Sequence, residues 1–134
     1  MNRGTKTFIA AIVIIPAVVF SLTFYFSKKL KNDISAISDV MNTLDEKLYS
    51  FDETGISVKD EEADMLVTVW KSHSDKWGFF IDHEIIHQID YAISEYVCEI
   101  KTGEYASAVI TSARIKASFE TLSEHDTLNM SNLF

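Results

Sequence analysis

The sequence predicts an all-α protein: an N-terminal transmembrane helix followed by an up-down four-helix bundle. Three observations carry that expectation. One is a run of 19 uncharged residues, Phe8 to Phe26. Another is the recurrence of apolar residues by threes and fours in four successive stretches, the period of a helix with one buried face. The last is that only four Gly and one Pro occur in 134 residues, too few turn signals for a sheet-and-turn architecture. A chain of this length makes one domain at most. We divide it into a basic head (1–7), an anchor (8–27), a helical bundle (28–124) and a C-terminal tail (125–134).

The anchor reads FIAAIVIIPAVVFSLTFYF. As a helix it reaches roughly 28 Å, enough to span a bilayer core. Pro16 would break a soluble helix but is tolerated in lipid, and Phe24, Tyr25 and Phe26 followed by Lys28 and Lys29 suit an interface. A basic start before an apolar core also opens a cleaved secretory signal. Such a signal needs small residues at its exit, where this chain has three bulky aromatics. We therefore expect an uncleaved signal anchor in the cell membrane. The basic residues on the two sides of the span nearly balance, so orientation rests on the short head, which places the head in the cytoplasm and the body outside.

Charge is placed unevenly. Of 12 basic and 20 acidic residues, the first 31 positions hold five basic and no acidic ones, leaving seven basic against 20 acidic in the remainder. A body this acidic excludes a nucleic-acid binder. Cys98 is the only cysteine, which excludes an internal disulfide framework and a cysteine-paired zinc site; its position on the third helix points it outward.

The first body helix carries Leu30, Ile34, Ile37, Met41, Leu44, Leu48 and Phe51 in heptad steps and is expected to continue the membrane helix. Thr54–Ser57 interrupts it, with Gly55 suited to a left-handed helix end and Ser57 expected to cap the second helix. That helix has the stripe Ala63, Leu66, Trp70, His73 and Trp77. Its acidic first turn, Asp60, Glu61 and Glu62, suits the helix dipole and lacks the spacing of a calcium loop. Gly78 closes it and Asp82 caps a third helix with stripe Ile86, Ile89, Ile93, Tyr96 and Ile100, ending at Thr102 and Gly103. Glu104 opens a fourth, with stripe Tyr105, Ala108, Ser112, Ile115, Phe119 and Leu122. A polar tail follows from His125. Short connections make consecutive helices antiparallel neighbours.

One motif carries potential chemistry. His83, Glu84 and His87 form HExxH, the pattern in which two His one turn apart bind zinc and the Glu deprotonates the metal-bound water. Helical geometry argues against it here: measured from the centre of the core stripe, His83 lies about 100° round the helix, His87 about 140° and Glu84 about 160°. The three point outward, toward no water-excluding cleft. A third ligand would have to come from Glu95, Glu99, Glu104, His73 or His125. His73, between Trp70 and Trp77, reads as a hydrogen-bonded core residue.

Several of these residues together carry a family resemblance: Trp77, His83 opening a helix, Ile89 with Asp90, and the end Asn132, Leu133, Phe134, behind a basic head and one span. The chain resembles the bacterial domain of unknown function four-three-six-three, short single-span proteins of sporeforming lineages. The resemblance covers the whole length and implies no catalytic residue, since none is known in that family. It accounts for His83 without a metal, while His87, which completes HExxH, departs from it. The expectation is a membrane-anchored extracytoplasmic interaction or structural module, with no cofactor and no catalysis, held in lipid through residues 8–27 and paired with a protein partner at the membrane. Two alternatives stand beside it: an HExxH zinc metallopeptidase, and a ligand-sensing helical ectodomain. A seven-residue head offers no output, so the sensor would act through a membrane partner.

Overall fold

A computed structural model describes the backbone of residues 2–132 and the side chains of residues 2–124. It contains four helices: α1 (Arg3–Thr54), α2 (Asp60–Trp77), α3 (His83–Lys101) and α4 (Tyr105–Asn132). Helix α1 is a single element of 52 residues, about 78 Å long at the usual rise per residue. Pro16 lies inside it without ending it. Its first half is long and apolar enough to cross a membrane, and none of the apolar window is buried. Its second half turns the heptad seam inward: Leu30, Ile37, Met41, Leu44 and Leu48 are buried. One helix thus joins the apolar run to the bundle core, as its uninterrupted pattern predicts.

Among the described residues α1 packs on α2 and α4, and α3 packs on the same two, so the four form a ring with α1 opposite α3. The seam of α1 is covered within the chain. The core gathers Ala63, Leu66, Trp70 and Trp77 from α2, Ile89, Ile93, Tyr96 and Ile100 from α3, and Ala108, Ile115, Phe119 and Leu122 from α4. One layer of it is aromatic. Trp70 and Trp77 meet edge to face at 5.3 Å, and Phe119 lies 6.1 Å from the first and 6.5 Å from the second, distances at which ring edges and faces attract.

The helix ends follow the expected signals, with two differences. Gly55 adopts φ 66°, and its N–H donates to the Phe51 carbonyl; an L side chain there would be strained. Asp82 accepts the Glu84 N–H at 2.8 Å, and Gly103, at φ 78°, ends α3. Ser57, however, does not cap α2. Val58 turns into the core at 6% exposure, which keeps the chain extended one residue longer, and Lys59 becomes the cap residue. Glu62 reaches back to accept the Lys59 N–H at 3.1 Å. The second difference is that α4 runs on to Asn132, through the segment expected as a polar tail. No Gly or Pro between Glu104 and Asn132 stops it.

Candidate functional site

His83, Glu84 and His87 all lie exposed at the start of α3. His83 is the first residue of the helix, and its ring sits over Gly78: a methyl group there would come within 3.3 Å of His83 Cε1. The glycine that closes α2 therefore also makes room for this imidazole. His87, one turn on, lines an open groove of about 340 Å³ between α2 and α3, together with Lys71, Asp90, Tyr91 and Ser94. Of the candidate third ligands, Glu95 pairs with Arg114 and His73 with Asp33. Glu99 is buried on α3, where its Oε1 accepts from Thr111 at 2.7 Å. Glu104 opens α4, where its carbonyl accepts the Ala108 N–H. His125 lies outside the described side chains. Among the described residues no three His, Cys, Asp or Glu are grouped to hold a metal ion. Cys98 is exposed, as its helical position predicts.

The polar chemistry of the chain is instead turned inward. Asp45, on α1, accepts from the Tyr96 hydroxyl of α3 at 2.6 Å and from the Ser112 hydroxyl of α4 at 2.6 Å, with the Lys116 ammonium at 2.7 Å. Burial, reinforced by donation to Asp45, pushes the Tyr96 hydroxyl well above the ordinary phenol range. Asp33, also on α1, accepts from the Trp77 indole at 3.0 Å and faces His73 Nδ1 at 3.0 Å, with Lys29 farther off at 3.9 Å. A third carboxylate, Asp90 on α3, accepts the Trp70 indole N–H. The Lys47 ammonium donates to Glu62 and, with the Lys59 N–H, holds that carboxyl below its usual range. On the surface, Asp64 accepts from Lys101 and holds that ammonium above its usual range. One polar atom is left over: Glu99 Oε2 is buried with no hydrogen-bond partner among the described residues.

Asp33 and Asp45 each join two or more helices and meet a large amphipathic side chain that needs an acceptor once its ring is in the core. Sequence reasoning passed over Asp33 and Asp45, and weighed Glu99 only as a metal ligand. A signal was present: Asp33 stands four residues before Ile37 and Asp45 four after Met41, so both share the inward face of α1. The motif residues of the family resemblance take structural parts as well. Trp77 and Ile89 are core, Asp90 holds Trp70, and His83 packs over Gly78. Asn132, Leu133 and Phe134 fall beyond the described side chains.

No curated protein and no solved structure matches the chain. A family model does match, over residues 24–133, described as Domain of unknown function (DUF4363). The match begins at the aromatic end of the apolar run and takes in the whole bundle. On that match across most of its length, the chain belongs to the DUF4363 family.

Proposed function

We propose that the protein is a single-pass, membrane-anchored module whose helical body stands outside the cytoplasm and serves an interaction or structural role without catalysis. One observation carries this reading. Helix α1 has two halves with opposite needs: an apolar half with no buried window, and a half whose seam forms the bundle core. Lipid is the partner that an unpacked apolar helix of this length requires. The buried Asp33 and Asp45 support the non-catalytic part, because both are spent on holding helices together. A body committed in this way presents its outer surface to a protein partner in or on the membrane.

The test is made on the full chain in bacterial membranes. It should resist carbonate extraction, and protease added to intact spheroplasts should digest the body. A soluble product lacking the apolar segment would show a cleaved signal sequence instead, and a protected body would reverse the orientation. Crosslinking in native membranes followed by pull-down should recover a stoichiometric partner. Purified protein carrying about one zinc per chain, lost in His83→Ala and His87→Ala, would replace this reading with a metal-dependent one.

A further inference from the structure

The connection between α2 and α3 brings an unusual group of side chains to one place. Gly78, Phe79, Phe80 and Ile81 form the turn. Phe80 stacks on Phe26 of α1, ring centroids 4.8 Å apart and planes 26° from parallel. Phe26 is the last residue of the uncharged run, so this stack fixes the turn at the depth where the apolar segment ends. Beside it Phe79 points away from the protein at 90% exposure, more than any other large apolar residue on the described surface. Phe24 and Tyr25 are exposed on α1 at the same level, and Lys28, Lys31 and Lys76 are exposed around them.

We propose that this turn is a second membrane contact: Phe79 inserts into the interfacial layer of the leaflet from which α1 emerges, and the bundle rests on the bilayer at two points. The inference deepens the anchor reading and rests on it. Three features fit the occupant. The depth is set by continuity with the apolar run through the Phe26–Phe80 stack. The aromatic ring with lysines at its margin matches the composition of a membrane interface, where aromatics sit at headgroup level and ammonium groups meet phosphates. The turn is also ready for a region poor in water: the N–H groups of Phe80 and Ile81 both donate to the Trp77 carbonyl, at 3.0 and 2.8 Å, so entry leaves neither amide unpaired. Of the nearby acids, Asp82 accepts the Glu84 amide N–H, and Asp75 and Glu84 belong to the last turn of α2 and the first turn of α3, which flank the turn.

The test uses the full chain with Cys98→Ser, reconstituted in vesicles of phosphatidylcholine and phosphatidylglycerol. A polarity-sensitive fluorophore is placed in turn at Phe24→Cys in the apolar run, at Asp75→Cys in the last turn of α2, and at Ile56→Cys in the loop at the far end of the bundle. Lipids spin-labelled near the headgroup serve as quencher. The probe at 75 should be blue-shifted and quenched severalfold more than the probe at 56. Adding Phe79→Asp should return it to the level of 56 with the helical circular dichroism unchanged. A probe at 75 no more quenched than that at 56, while 24 is quenched, would overturn the second contact and leave the anchor intact; that is also the outcome if a protein rather than lipid covers Phe79. Quenching at 75 that survives Phe79→Asp would remove Phe79 from the contact. Loss of quenching at 24 would sink the anchor reading, and the second contact with it.

Discussion

Asp33 and Asp45 invite comparison, because both are carboxylates on the inward side of α1, about 18 Å apart along its axis, and both are buried, at 4% and 7% exposure. They do different things. Asp45 gathers a phenol, an alcohol and an ammonium from α3 and α4, all within 2.7 Å. Asp33 ties α1 to α2 alone, through an indole and an imidazole, in a site where His73 and Lys29 keep about a third of their side-chain surface in water. The distal carboxylate is a crossing point for three helices, and the proximal one a pin between two. A buried charge is tolerated in proportion to the donors that converge on it. The contrast therefore concerns how many neighbours each position can recruit.

The sharpest way to break the comparison is to put a carboxylate where nothing donates. Leu44 adjoins Asp45 in sequence but lies in the apolar seam. Leu44→Asp should cost more than about 4 kcal/mol and abolish cooperative melting by circular dichroism, since the new charge has no donor. Sedimentation should show no dimer in the parent protein, because the seam is covered within one chain.

Removing the crossing point comes next. Asp45→Ala should destabilise by about 3–5 kcal/mol, because it leaves two fully buried donors, the Tyr96 and Ser112 hydroxyls, without their acceptor. Asp33→Ala should cost less, about 1–3 kcal/mol, since water reaches His73 and Lys29 and only the Trp77 indole is left without an acceptor. Equal losses in the two variants, measured by urea unfolding in the same detergent, would erase the distinction between crossing point and pin.

The smallest effect is one of pH. The folded state holds the Tyr96 proton more tightly than the unfolded chain does, so deprotonation favours unfolding. The contribution is present in full below the ordinary phenol value of about 10 and is lost as pH rises beyond it. Alkaline unfolding should therefore be steeper in the parent than in Tyr96→Phe, and parallel profiles would show that the buried phenol does not titrate with folding.

The apolar stripes were legible because periodicity reports directly which face is inward. The four helices, the Gly55 and Gly103 ends and the Asp82 cap could all be read along one strand of text. What could not be read depended on two helices at once. The spacing of Asp33 and Asp45 to Ile37 and Met41 gives their inward side but not their partners, because pairing with Trp77 and Tyr96 is set by the register between helices. Ser57 failed as a cap for a similar reason: the burial of Val58, a tertiary contact, decides where α2 begins. The HExxH pattern shows the reverse hazard. Its residues lie close in sequence, yet the structure gives the two His different surroundings, His83 over Gly78 and His87 on an open groove, which local spacing alone does not tell.

The unbroken run of α1 makes the molecule a lever. With no loop between the apolar half and the bundle, and with the apolar half spanning a bilayer as proposed, any tilt of that half would be copied by the body. A tilt of about 20°, ordinary for a spanning helix, would swing the far loop at Gly55 sideways by roughly 14 Å. The Phe26–Phe80 stack lies near the fulcrum, where a small displacement of the α2–α3 turn corresponds to the largest change of angle. Changes in bilayer thickness that re-tilt the segment would thus be read out as the height and reach of the distal loop.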